Sequence, residues 1–142
     1  MDKYYNIGFT AGIFDIFHIG HLETLKRAKE RCNYLIVAVG TDEFLMWRKH
    51  RKPVMSYEER VEIIKAIKYV DKVVPETDLD KVKAYYDYHF DVMFAGDDHI
   101  DEAVYIEATK KLKELDVDTI YLPHLHEISS TLIREKIITM QK

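Results

Sequence analysis

The sequence predicts an α/β fold with a mainly parallel, five-stranded sheet and helices on both faces. Three observations point to it. Short apolar runs rich in β-branched and aromatic residues recur along the chain, segments with helical spacing stand between them, and the five glycines and three prolines fall where elements end. Strand alternating with helix gives right-handed βαβ units, which build a parallel sheet whose two faces are both covered. Ligands of such sheets sit at the carboxyl ends of the strands, where the strand order reverses.

The runs YNIGFTAG (5–12), YLIVAVG (34–40), KVVP (72–75), DVMFAG (91–96) and DTIYLP (118–123) are the expected strands. After the first, the chain turns and enters a helix predicted to begin around Ile19 and to continue through HLETLKRAKERC. A second helix, SYEERVEIIKAIKYV, starts at 56 with Ser56 and Glu59 spaced as a capping box. Near the C-terminus EISSTLIRE (127–135) reads as a hydroxyl-rich helix entry. The aromatic group AYYDYHF (84–90) is expected to pack or to form a subunit contact, not to stack on bases.

With 142 residues the chain suits one domain, 1–142, hiding roughly 70% of its unfolded surface. Its 47% apolar and 32% charged residues exclude a disordered chain, and no apolar run is long enough to insert in a membrane. The opening MDKYYNIGFTAGIFD lacks the layout of a signal peptide, so the expected location is cytoplasmic. A lone Cys32 allows neither an internal disulfide nor a cysteine-based zinc site. The net charge of −4, with basic residues scattered apart from RKHRK at 48–52, gives no electrostatic case for nucleic acid.

The stretch GIFDIFHIGH (12–21) carries the chemistry. If the strand ends between Thr10 and Gly12, His18 and His21 lie about one turn apart on one face of the following helix. A helix N-terminus offers unpaired N–H groups and the positive end of the dipole, and two imidazole donors extend that preference for phosphate. Capping or partial burial explains one histidine; two in this place point to phosphate handling. Gly20 lets a bulky anion approach, Gly12 supplies backbone freedom, and Asp15 braces the loop or orients a partner. Two further features lie at expected strand or helix ends. Asp97 and Asp98 follow Gly96, where paired carboxylates either orient a hydroxyl, help place magnesium or form an ordinary turn. The basic run precedes a capped helix that carries Arg60.

The pattern G-x-F-D-x-x-H-x-G-H after an N-terminal strand resembles the signature of the nucleotidyltransferase superfamily, and nearly all of the chain resembles its glycerol-3-phosphate cytidylyltransferase family. Literal HIGH also occurs in class I aminoacyl-tRNA synthetases, but this chain has no room for their additional domains. The resemblance implies a Rossmann-like nucleotidyltransferase fold and transfer of CMP from CTP to a small phosphorylated alcohol, above all glycerol 3-phosphate, with Mg2+ and a homodimeric enzyme.

The resemblance also implies roles for residues. His18 and His21 act at the α- and β-phosphates, Arg60 binds at the active site, and a residue of the basic run reaches the triphosphate. Arg48 and His50 hold the usual lysine positions in one register, while Lys49, Arg51 or Lys52 serve in another; Lys49 is the candidate for catalysis and Arg48 for the acceptor. Thr10, Gly12, Ile13, Phe14, Asp15 and Gly20 border the nucleotide from the first motif. Gly96 and Asp97 border it from the fourth strand, and His124, Ile128, Ser129, Ser130 and Thr131 close on its phosphates. Asp98 and Lys68 join Arg48 as acceptor residues, and no protein metal ligands are assigned.

Three departures bear on the acceptor. His124 stands where the family has arginine, Glu127 where it has glycine, and Lys68 where it commonly has arginine. Imidazole lacks the permanent charge and two-pronged grip of a guanidinium, and an added carboxylate suits an amine-bearing acceptor such as phosphoethanolamine or phosphocholine. The alternatives are an adenylyltransferase of the same fold, using ATP with FMN, a heptose phosphate or pantetheine phosphate, and a nucleotide-binding protein that has lost catalysis.

Overall fold

The computed structural model describes residues 3–123 and 129–141. Five parallel strands, β1 (Tyr5–Gly12), β2 (Cys32–Gly40), β3 (Lys72–Glu76), β4 (Val92–Gly96) and β5 (Asp118–Leu122), form one sheet in the order β3-β2-β1-β4-β5. β2 is buried continuously from Leu35 to Gly40, which is why it reads as an unbroken apolar run and not as an alternation.

Helices α1 (Ile19–Lys29) and α3 (Tyr57–Lys65) pack on one face, where Leu25, Ala28 and Ile64 meet Leu35, Val37, Val39 and Phe94. Each helix has a reason to start where it does. His18 and His21 cap α1 reciprocally, and Ser56 and Glu59 form the expected capping box on α3. Lys26, Arg27 and Lys29 in the last turn of α1 oppose the negative end of its dipole. Helices α4 (Lys81–Tyr88) and α5 (Ala103–Glu114) cover the other face with Tyr105, Leu112, Val82 and Tyr85 against Phe9, Ile36, Val74 and Met93. The aromatic group of α4 packs as expected: Phe90 stacks on Phe9 with centroids 4.6 Å apart, and Tyr86 stays exposed.

Helix α2 (Asp42–Lys49) was not expected. Its signal is Thr41-Asp42-Glu43, a capping hydroxyl followed by two acids in the first turn, before buried Phe44 and Leu45. Arg48 and Lys49, expected in a basic loop, instead form the last turn of α2, where cations are favoured, and the loop begins at His50 in a left-handed conformation. The last helix, α6 (Ser130–Met140), follows β5 and has no buried residue.

Strand order decides where a ligand can sit. The chain builds outward from β1 to β3, then returns to place β4 on the other side of β1. β1 pairs with β2 through Gly12 but with β4 only over Gly8 to Thr10, so β1 and β4 part beyond Thr10 and open a crevice at their carboxyl ends.

Candidate active site

At the head of that crevice the loop from β1 to α1 is bent hard. Phe14 (φ 59°) and Ile16 (φ 49°) both lie in the left-handed region, a costly conformation for a β-branched side chain. Four hydrogen bonds hold the loop in place. The buried carboxylate of Asp15 accepts from the backbone N–H of Val54 (2.8 Å) and Met55 (3.0 Å), the Ile13 carbonyl accepts from Arg60 (2.8 Å), and the Asp15 carbonyl accepts from the Ser130 hydroxyl. Strain at this point therefore rests on a surround that over-determines it.

The loop delivers the two histidines to the start of α1. His18 Nδ1 accepts from Gly20 N–H at 3.0 Å, and His21 Nδ1 accepts from His18 N–H at 3.3 Å. An imidazole whose Nδ1 accepts carries its proton on Nε2, so these hydrogen bonds assign an Nε2–H donor to each ring. The rings stack at 3.9 Å, backed by Phe14 and Phe17 at 5.4 and 5.3 Å from His21. Burial, reinforced by His18, pulls the His21 pKa down to about 3, so this ring is a neutral donor across the working pH range. Capping and phosphate recognition do not compete here, because they use opposite nitrogens.

The second helix entry comes to the same place. Arg134 of α6 pairs with the Asp15 carboxylate at 3.5 Å, and Ser130 reaches the Asp15 carbonyl, so the first turn of α6 abuts the strained loop three residues ahead of His18. Ser129 caps α6 by accepting from Leu132 N–H at 3.0 Å, and Thr131 accepts from Arg134 at 3.1 Å. Two helix N-termini thus converge, with donors suited to a polyphosphate. A groove of about 770 Å³ lies elsewhere, between α2, the loop after it and the start of α3, and its three acids, Asp42, Glu43 and Glu59, outnumber Lys52 and disfavour such an anion.

The sequence profile of the family described as "Cytidylyltransferase-like" matches residues 9–136. The chain belongs to the cytidylyltransferase-like family. It is 39% identical over 129 residues to "Glycerol-3-phosphate cytidylyltransferase" of Bacillus subtilis (strain 168), covering 90% of this chain and 94% of that one. It is also 40% identical over 120 residues to "FAD synthase" of Pyrococcus horikoshii, covering 82% and 79%. Among solved structures, the lipopolysaccharide core biosynthesis protein from Thermoplasma volcanium GSS1 matches with a TM-score of 0.69 over 84% of this chain and 96% of that one, at 22% identity.

Within this cytidylyltransferase-like chain the other candidate residues divide into those at the crevice and those beneath or beyond it. Gly12 and Ile13 end β1, Gly20 lies buried in the first turn of α1, and Gly96 and Asp97 leave β4 on the opposite wall. Thr10 lies below: its buried hydroxyl donates to the Phe94 carbonyl at 3.0 Å and ties β1 to β4 in the floor of the crevice. Phe14 is likewise buried, and its ring supports His21 from behind.

Arg60 also differs from expectation. Its side chain is fully buried, with Nε on the Met55 carbonyl (3.0 Å), Nη1 on the Ile13 and Gly40 carbonyls (2.8 and 2.7 Å), and Nη2 on Asp42 (2.6 Å). A guanidinium so occupied braces the loop from within the protein. Lys68 is at the wrong end of the sheet, because it precedes β3, whose first residue Lys72 pairs with Ile36 while Glu76 pairs with Gly40 at the crevice end. A sequence position near a helix does not reveal which end of the sheet it occupies. Lys49 and His50 are exposed, Asp98 lies in the 3-10 turn Asp97–His99, and His124 and Ile128 fall outside the described residues, as does Glu127.

Sequence reasoning missed Arg134, His99 and Glu102. Arg134 lay inside the quoted second motif, but nothing in the sequence pairs it with Asp15.

Proposed function

We propose that this chain is a glycerol-3-phosphate cytidylyltransferase, transferring CMP from CTP to glycerol 3-phosphate with release of pyrophosphate. The observation that carries the reading is the stacked pair of histidines with both Nδ1 atoms engaged and both donor nitrogens on Nε2. A phosphate oxygen of the acceptor attacks the α-phosphorus of CTP as the bond from that phosphorus to the bridging oxygen of pyrophosphate breaks. No covalent enzyme intermediate is needed. The two Nε2–H donors and the N-terminus of α1 stabilise charge that grows on the α- and β-phosphate oxygens, and they require little rearrangement to do so. The entry of α6 holds the remaining phosphates through its hydroxyls and Arg134. The relatives named for this reaction cover about nine-tenths of the chain, which supports the same choice of donor and acceptor.

Magnesium fits this chemistry as a charge carried in on the triphosphate. Magnesium usually keeps several waters and binds through one or two carboxylates together with substrate phosphates, so on this reading the triphosphate brings much of its coordination. The reading includes a homodimer working in the cytoplasm; no helix among the described residues is long and apolar enough to cross a membrane.

The second reading is adenylyl transfer from ATP to FMN, favoured by the 40% identity to an FAD synthase. One assay separates the two: purified protein with magnesium, CTP or ATP, and a panel of glycerol 3-phosphate, phosphoethanolamine, phosphocholine and FMN, scored by pyrophosphate release. CTP with glycerol 3-phosphate is the expected pair. Release from ATP with FMN alone, or nucleotide binding with no release from any pair, overturns the proposal.

A further inference from the structure

The crevice has a second rim, on the side away from the histidines. α2 follows β2, whereas the 3-10 turn and α5 follow β4, and β2 and β4 flank β1 on either side. A contact between those two elements therefore spans the carboxyl end of β1. Such a contact exists: Arg48 Nη2 at the end of α2 meets Glu102 Oε2 at the start of α5, 3.3 Å apart.

Glu102 is itself fixed. Its other oxygen, Oε1, accepts from His99 Nδ1 at 2.8 Å, and the His99 ring stacks on buried Tyr105 at 4.6 Å with an interplanar angle of 13°. Partial burial works against ionisation of Glu102, but the hydrogen bond and charge of His99 together with Arg48 outweigh it and hold the carboxyl below its ordinary value. Position thus passes from the core, through Tyr105 and His99, to a charged carboxylate and on to Arg48.

An ion pair this exposed, with 31% and 39% of the two side chains accessible, contributes little to stability. What it does is restrict a long, flexible side chain to one arrangement. Arg48 donates to the protein through Nη2 alone among the described residues, and a single contact there uses one of that nitrogen's two N–H groups; the guanidinium's paired-donor edges, Nε–Nη2 and Nη1–Nη2, share Nη2, so one edge is left for a phosphate held by two parallel hydrogen bonds. Arg48 is also the one member of the basic run 48–52 with an ion-pair partner among the described residues.

We propose that Glu102 is a positioning residue for acceptor recognition: it pins Arg48 across the rim so that the unengaged edge of the guanidinium meets the phosphate of the incoming phosphorylated alcohol. The proposal rests on the acceptor being a phosphate, as the cytidylyltransferase reading holds. It adds a residue and a direction of approach, since the histidine side takes the nucleotide and the Arg48 side takes the acceptor.

Calorimetric titration of the full chain tests it, with glycerol 3-phosphate and, separately, inorganic phosphate as probes, in the presence of magnesium and a CTP analogue that cannot be cleaved at the α,β-bond. Glu102→Gln is expected to weaken both probes about tenfold, the range of one charge-assisted hydrogen bond, while CTP-analogue affinity stays within about twofold. In an Arg48→Ala background the same substitution is expected to add nothing, because its target is gone. His99→Gln, which loses the stack on Tyr105, serves as a second variant should Glu102→Gln melt early, with a smaller loss of about threefold expected. Phosphate binding within twofold of wild type in Glu102→Gln, equal weakening of nucleotide and phosphate, additive effects with Arg48→Ala, or no phosphate binding by the wild type each overturns the proposal. Wild-type pyrophosphate release tests the cytidylyltransferase reading separately, so a chain that binds phosphate through Arg48 yet turns over no CTP fails that reading and not this one.

Discussion

The entries of α1 and α6 meet at one crevice but are built in opposite ways. α1 is anchored by Leu25 and Ala28, both fully buried, and its donors are two rings clamped by aromatic neighbours and by their own backbone hydrogen bonds. α6 buries nothing and exposes Leu132, Ile137, Ile138 and Met140, and its first turn reaches the loop through Ser130 and Arg134 on Asp15. Ser129 and Thr131 accept from Leu132 N–H and Arg134, which leaves the direction of their O–H groups adjustable, whereas the Ser130 hydroxyl donates to the Asp15 carbonyl and must exchange that partner to meet a phosphate. On the proposed cytidylyl transfer, the difference separates a preorganised element, suited to lowering the barrier because it does not move, from an adjustable one, suited to supplying affinity.

The sharpest way to break this comparison is to remove a clamped donor. His18→Ala or His21→Ala is expected to lower kcat by about 10²–10³ with the circular-dichroism spectrum unchanged; a variant that keeps more than a tenth of wild-type turnover would sink the assignment. Next in size, Arg60→Ala is expected to cost about 3–5 kcal/mol in urea unfolding, because it removes a large, fully buried side chain and the donors of three carbonyls under the strained loop. Normal stability with lost turnover would instead make Arg60 a substrate contact.

On the adjustable side the expected effects shrink. Arg134→Ala should lower kcat/KM for CTP about tenfold in steady-state assays while the unfolding midpoint moves little, because Asp15 keeps its two backbone donors. The neutral state of His21 also has a thermodynamic signature. With its pKa depressed to about 3, the unfolded chain takes up this proton first, so stability is lost as pH falls from about 6.5 to about 3. His21→Gln should flatten that part of the curve of unfolding free energy against pH, and an unchanged slope would count against the buried, neutral ring. Smallest of all, Lys68→Ala should leave the KM for the acceptor within about twofold, since Lys68 lies at the far end of the sheet.

Most of the fold was legible, and for physical reasons. All five strands lie where apolar, β-branched runs predicted them, since a strand covered on both faces must be apolar along its length. The starts of α1 and α3 were readable because caps are local chemistry. α2 was missed because its basic end was taken as loop, although Thr41 and the two acids after it are an entry signal.

Local pattern thus determined the five strands, their order along the chain, the parallel sheet and the entries of α1, α3 and α6, because each depends on residues a few positions apart. It could not determine partners distant along the chain. That Asp15 joins Met55 and Arg134, that Arg60 is spent on carbonyls 20 and 47 residues away, and that Glu102 reaches back 54 residues to Arg48 follow only once strand order and the parting of β1 from β4 bring those segments together. Such contacts are set by the topology of the sheet, and no spacing in the sequence encodes them.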